Sequence, residues 1–221
     1  MTVHDVRIEV TPLQTEGMRD VRGDVVRRQL IADHGVDVGI VRSICGYLIR
    51  SQYDASSIAP RVQDIFSDPI IEFGAVDTPV IHDSNFFPQT PSLCVTIGFK
   101  PGVTDNPGAA ANDGFQVLFP DVSAAISTYT TYVFTDLPET VDNVWLASTL
   151  HNPLIERAIL VTRDNLSSGN DSLITFPDRP TIVRQSPSII DLEVANEELI
   201  RLSVDGLLAL NLTEMQAIQA H

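Results

Sequence analysis

The segment from Val6 to Val10 alternates Val6, Ile8 and Val10 with Arg7 and Glu9, the two-residue period of a half-buried strand. Leu93, Val95 and Ile97 repeat the alternation, interrupted by Cys94 and Thr96. A glycine-bounded turn and a helix follow in both places. Ala111, Phe115, Leu118 and Phe119 recur at i, i+4, i+7 and i+8 and give one apolar face. Val21, Val25, Val26 and Leu30 give a less regular stripe that leaves Arg27 and Arg28 to solvent. Longer strand regions come next, Val38 to Arg50 and Val122 to Phe134, the second rich in β-branched and aromatic residues. A second helix is read from Ile58, Val62, Ile65 and Phe66. Its counterpart begins at Asp136, a cap with Glu139 three residues on, and runs through Val141, Val144, Trp145 and Ser148. Asp68-Pro69 and Asn152-Pro153 stop these helices, because proline disfavours an α conformation in the residue before it. A last strand runs from Ile70 to Val76 or from Leu154 to Val161.

The same order of elements thus occurs twice, and short motifs mark the repeat. Gly17 to Gly23 and Gly102 to Gly108 share the form Gly-x-x-Asp-x-x-Gly at a separation of 85. At that separation Tyr47-Leu48-Ile49 falls on Tyr132-Val133-Phe134, and one residue of slippage sets Asp68-Pro69-Ile70-Ile71-Glu72 on Asn152-Pro153-Leu154-Ile155-Glu156. The expected fold class is α/β in the broad sense (α+β), with two tandem β-α-β-α-β units. Their sheets are antiparallel or mixed and related by a pseudo-twofold axis, side by side or face to face. Each unit alone would leave an open sheet edge and an uncovered apolar face, which the other unit supplies. Asp77 to Pro91, with Pro79, Pro88 and Pro91, reads as a rigid extended linker rather than a missing element.

Asp164 to Ser188 has little periodicity and reads as a long functional or crossing loop. Ile189 to Leu202 resumes an apolar pattern, Ser203 to Gly206 starts a turn, and Thr213 with Gln216 has the form of a capping box, with Met215 and Ile218 pointing one way. The expected division is 1–85, 86–165, 166–206 and 207–221. A helix announced so close to His221 suggests a fragment of a longer protein.

Charge removes several function classes. Acidic residues number 29 against 14 basic, for a formal net charge of -15, and they are spread evenly along the chain. A nucleic-acid partner is not expected, because it calls for a positive footprint. No apolar run approaches the roughly 20 residues that span a bilayer, so no membrane partner is expected and the reading is cytoplasmic. Candidate chemistry is sparse. His4, His34, His82, His151 and His221 share no metal-ligand spacing, and Cys45 and Cys94 read as small buried hydrophobes, so no metal, cofactor-binding or catalytic residue is assigned. Asp20 and Asp105 read as helix caps rather than a carboxylate pair. Lys100, the only lysine, is more naturally solvent-facing than an anion ligand. Trp145 and Phe115 are the apolar residues expected at the contact between units.

Phe99-Lys100-Pro101-Gly102-Val103-Thr104-Asp105-Asn106-Pro107-Gly108 resembles the first strand and turn of the small subunit of phosphoribosylformylglycinamidine synthase, and Ile8 through Gly23 is a more diverged form of it. Leu207 to His221, reading LLALNLTEMQAIQAH, resembles the segment that opens the linker and catalytic regions of the large subunit. The resemblance implies the leading domain of a long form of this ATP- and glutamine-dependent amidotransferase of purine biosynthesis, in which two small-subunit-like units precede the ligase region. It implies a non-catalytic assembly role, with the synthetase region and a glutaminase domain or subunit as partners and a homodimer as a further possibility. ATP and Mg belong to the catalytic region that the resemblance places outside this chain. Two other readings stay open, a free-standing regulatory or small-ligand-binding protein and a small enzyme using an unusual carboxylate.

Overall fold

The computed structural model describes residues 2–15, 18–120, 123–169, 173–177 and 189–220. Gly17, Val122 and His221 lie outside them. The chain divides into two compact units, Met1–Pro180 and Thr181–His221. The expected halves 1–85 and 86–165 therefore share one unit, and the division falls inside the segment 166–206.

The first unit is a mixed α+β fold on one antiparallel sheet of six strands in the order β3-β1-β2-β5-β4-β6. The strands are β1 (His4–Pro12), β2 (Val41–Ser51), β3 (Glu72–Val76), β4 (Leu93–Phe99), β5 (Ala125–Phe134) and β6 (Glu156–Thr162). One continuous sheet stands where two related sheets were expected. The joint is the β2–β5 ladder, which pairs Val41 with Phe134 at one end and Arg50 with Ala125 at the other. Cys45 faces Thr130, 85 residues on; around that pair, Ser43 faces Tyr132 and Tyr47 faces Thr128. Each of these positions is thus matched, at the separation of the sequence motifs, by its partner's counterpart.

One face carries the helices α1 (Val21–His34), α2 (Ala55–Ile58), α3 (Val62–Ile65), α4 (Asn106–Leu118) and α5 (Asn143–Leu150). They cross between halves. Val26 and Leu30 of α1 pack with Leu146 of α5 on Leu93, Val95 and Phe134. Phe115 of α4 is fully buried against Val6, Ile8 and Ile49. Trp145 meets His34 edge-on at 5.2 Å between ring centroids. Both aromatics expected at the contact between halves are found there.

Several boundaries differ from the sequence reading. The helix expected through Ile58 and Phe66 is broken into α2, a 3₁₀ turn Ala59–Arg61, and α3. Pro60 supplies no N–H to the helical ladder, although Ile58, Val62 and Phe66 are still buried. The cap of α5 is Asp142, which accepts from Trp145 N, and not Asp136. Pro138 lies in the turn that precedes it, where Val141 N donates to Pro138 O. Of the α1 stripe, Val21 and Val25 are exposed and only Val26 and Leu30 reach the core.

The largest correction concerns the helix-free face. It is covered by the connection read as a bare linker, which holds a 3₁₀ turn Val80–His82 and buries Val80, Phe86 and Phe87. These pack with Ile44, Cys94, Val133, Val161 and Leu166, the last from a short helix α6 (Arg163–Ser167). β1 is consequently buried on both sides, Glu9 and Thr11 included.

In the second unit α7 (Asn196–Asp205) and α8 (Leu212–Gln219) pack on one another. Ser203 lies inside α7 rather than in a turn, and its hydroxyl donates to Leu210 O and accepts from Leu210 N. The capping box is built by Asn211 and Glu214, two residues before the expected Thr213 and Gln216. Met215 is buried, whereas Ile218 is exposed. No helix among the described residues is long and apolar enough to cross a membrane.

Gly23 and Gly108 show why each motif ends in glycine. A Cβ on Gly23 would lie 2.1 Å from Val41 O, and one on Gly108 2.6 Å from Ile126 O. The first turn of each helix therefore rests directly on strand backbone. Gly23→Ala or Gly108→Ala should destabilise by about 1–3 kcal/mol through overpacking, whereas Val117→Ala at an exposed site should stay within about 0.5 kcal/mol. Urea unfolding followed by circular dichroism measures all three. The cross-packed helices lead to a second expectation, that residues 1–85 and 86–170 made separately self-associate or aggregate while the intact chain does not. Size-exclusion chromatography with light scattering checks it, and two well-behaved monomeric halves would contradict it.

Candidate functional site

On the helix face the two aspartates occupy matching positions. Asp20 caps α1 by accepting from Gly23 N at 2.8 Å, and it also accepts from Ser43 N at 2.5 Å and Ser43 Oγ at 2.9 Å. Asp105 accepts from Gly108 N at 2.7 Å, Thr128 N at 2.5 Å and Thr128 Oγ1 at 2.9 Å. Each carboxylate tethers a helix start to the central ladder. Both are occupied by protein donors, which favours the cap over an ion-binding reading.

A concavity lies beside each cap. The one near Asp20 measures about 270 Å³ and is lined by Met18, Arg22, Cys45, Ile71 and Glu72 among others. The one near Asp105 measures about 190 Å³ and is lined by Pro107, Thr130, Tyr132 and Glu156 among others. Arg22 Nη1 donates to Cys45 Sγ at 2.6 Å. Burial raises the Cys45 thiol above its ordinary value, with the Arg22 charge opposing the shift, so the neutral thiol is favoured over the nucleophilic thiolate. Cys94 is buried on the opposite face. Lys100 Nζ donates to Pro153 O, which ties the turn before β6 to the end of β4. His151 Nδ1 contacts Ala147 O at 2.6 Å, and His34 packs on Trp145. The structure brings none of these histidines to a cysteine, and no group of three or more metal-ligating side chains forms among the described residues.

The densest polar arrangement lies on the other face, and the sequence reading missed it. One row of paired residues crosses the sheet, Ala75, Glu9, Gly46, Tyr129, Gly98 and Arg157. Tyr129 stands between two glycines. A Cβ on Gly46 would meet the Tyr129 ring at 1.9 Å, so the ring lies flat over Gly46. Its hydroxyl thereby reaches across β2 and donates to Glu9 Oε1 at 2.6 Å. Glu9 Oε2 accepts from Val80 N at 2.7 Å, and Arg7 Nη1 stands 3.7 Å from Oε1. The Arg7 guanidinium also sits over the Tyr129 ring, 5.7 Å from its centroid.

A buried carboxylate persists when paired and hydrogen-bonded, and Glu9 has three such partners. A cavity of about 30 Å³ adjoins it, lined by Thr96, Thr131 and Cys94 on the polar side and by Ile44, Val161 and Leu166 on the apolar side. At about 10–15 Å³ per water this admits roughly two or three waters and no organic substrate. The Thr96 and Thr131 hydroxyls bond each other at 2.8 Å. The chemistry available is that of a structural hydrogen-bond network beneath the linker. Its sequence signal is the pair of glycines inside two strands, positions where another group approaches the backbone closely.

Burial raises the Tyr129 phenol far above its ordinary value of 10.0, and the Glu9 charge adds to the shift. A folded-state pKa above the unfolded one contributes stability below the unfolded pKa, and the contribution fades as pH rises beyond it. Stability should therefore fall as pH rises above 10, with Tyr47 and Tyr132, also raised by burial, adding smaller shares. Tyr129→Phe should lower stability at pH 7 by about 1–3 kcal/mol, the cost of leaving a buried acceptor short of a donor, and should flatten the alkaline decline. Urea midpoints from pH 7 to 11 for both chains measure the effect. Parallel decline in the two would contradict the assignment.

No protein-family model matches this chain, and no curated protein matches it significantly in sequence.

Proposed function

We propose that this chain is the non-catalytic leading domain of a phosphoribosylformylglycinamidine synthase, acting in the cytoplasm as the piece that holds the ATP-dependent synthetase against its glutaminase. The observation that carries the reading is the β2–β5 joint. Two β-α-β-α-β halves meet there in a register symmetric about Cys45 and Thr130, the arrangement expected of two small-subunit-like units in one polypeptide. Support also comes from the segment 207–221, whose likeness is to the opening of the linker and catalytic regions. In this reading ATP and Mg are bound by the catalytic region, and ammonia released from glutamine reaches it within the assembly. Among the described residues no strand pairs with the outer sides of β3 and β6, and these are the surfaces left for a second copy or for the partners.

A second reading, a regulatory protein binding a small ligand, draws on the paired concavities beside Asp20 and Asp105. At about 270 and 190 Å³ both are below the roughly 300–1,000 Å³ typical of ligand sites. These two concavities therefore lend that reading little support.

The two readings diverge in a reconstituted enzyme. Deleting residues 1–221 should lower glutamine-dependent turnover at least tenfold, on the order of 1.4 kcal/mol or more in coupling, while turnover with free ammonium is retained. Equal loss with both nitrogen sources would point to a folding or catalytic role and overturn the proposal. The isolated chain should neither hydrolyse ATP nor release ammonia from glutamine, which coupled assays for phosphate and ammonia check directly.

A further inference from the structure

Above the Glu9 row runs the five-residue stretch 173–177, with the sequence Leu-Ile-Thr-Phe-Pro, which has no regular secondary structure. Side chains rather than a backbone ladder hold it to the sheet. Arg7 Nη2 of β1 donates to Ile174 O at 2.8 Å, and Arg157 Nη2 of β6 donates to Thr175 O at 2.6 Å. Arg50 of β2 lies over the Phe176 ring, 4.5 Å from its centroid. Three arginines from three strands thus grip three consecutive residues. The middle of the grip is apolar. Ile174 is 2% exposed and packs with Leu48 and Tyr129. It enters over Gly98, where a Cβ would stand 2.6 Å from its Cδ1.

This is how a surface binds an extended peptide: main-chain carbonyls taken by fixed donors and one side chain dropped into a pocket. Leu173 and Thr175, on either side of the buried residue, are exposed, the alternation of an extended segment lying on a surface. Arg157 carries a further sign, because its Nε is buried with no hydrogen-bond partner among the described residues, a donor that residues 173–177 do not use. We propose that residues 173–177 are a tethered ligand of the helix-free face, a strap that opens and closes over an intact sheet. The site beneath it recognises an extended peptide through successive carbonyls at Arg7 and Arg157, a β-branched aliphatic side chain over Gly98, and an aromatic ring at Arg50. This goes beyond the assembly role and does not depend on it.

Local opening and global unfolding differ in their response to denaturant, because only the second exposes the core. In the full chain carrying Ile174→Cys, the thiol at position 174 should react with a maleimide at a rate nearly independent of urea below the unfolding transition. That rate should exceed at least tenfold the global unfolding rate measured on the same chain by circular dichroism, the label being located by peptide mass mapping. A rate that climbs with urea in step with unfolding would show the segment to be woven into the fold and would overturn the proposal. A binding arm uses the capped pentapeptide Leu-Ile-Thr-Phe-Pro at millimolar concentration, followed by the amide resonances of Gly98 and Tyr129. The Ile174→Ser chain should bind it at least tenfold more tightly than the unaltered chain, whose site is filled, and adding Arg157→Ala should remove that gain. Equal binding to both chains, or binding to neither, would overturn recognition.

Discussion

The β2–β5 ladder is the contact on which the rest of this structure depends. Its ten paired positions join two three-stranded sets into one sheet, and the helices then pack across the joint as well as on the strands of their own halves. The core of each half is completed by the other. Asp20 and Asp105 strengthen the arrangement because their carboxylates reach Ser43 and Thr128, residues of the central strands, as well as the first turns of α1 and α4. Helix position and strand pairing are thereby fixed by the same two side chains.

The two faces of the sheet are stabilised in different ways. The helix face is largely apolar packing on an alternating pattern, with the Asp20 and Asp105 caps as its main polar ties. The other face buries a carboxylate and a phenol, with an arginine half-buried beside them, under an irregular cover. Leaving Glu9 without its partners would be costly, so the linker cannot shift without disturbing Val80 N, which is itself one of those partners. The linker is therefore part of the charge arrangement as well as a lid on hydrophobic surface.

What was legible in the sequence followed from local chemistry. The alternation at Val6, Ile8 and Val10 and at Leu93, Val95 and Ile97 located strands, the helix stops at Pro69 and Pro153 stand as read, and Asp20 and Asp105 are the caps the motif suggested. Local chemistry also misled where two signals were equivalent. Asp136 with Glu139 has the form of a helix start, yet Asp142 fills the role. Asn211 with Glu214 closes the capping box that Thr213 and Gln216 imitate. The Glu9–Tyr129 contact was beyond such reading, because it spans 120 positions and depends on the register of two ladders at once. The cover supplied by Phe86 and Phe87 was hidden by the prolines around them, which read as an extended linker. The proposed assembly role draws on the resemblance and on the β2–β5 register, since no cluster of side chains among the described residues announces it.

The matched pairs along the joint have a counterpart in mismatch on the reverse side. Asp20 and Asp105, Ser43 and Thr128, Tyr47 and Tyr132, and Gly23 and Gly108 are all equivalent across the ladder and chemically alike. Carrying the same correspondence through the paired strands sets Tyr129 against Ile44, Gly46 against Thr131, and Glu9 against Thr96. Two identical subunits would have to present everything on that face twice, a second buried charge included. Joining unequal halves in one polypeptide removes the obligation. Among the described residues that face keeps one buried carboxylate, Glu9, and one buried tyrosine, Tyr129, under an irregular cover, and the halves are no longer interchangeable: a molecule made of two first halves or two second halves could keep its helix layer and lose its reverse side.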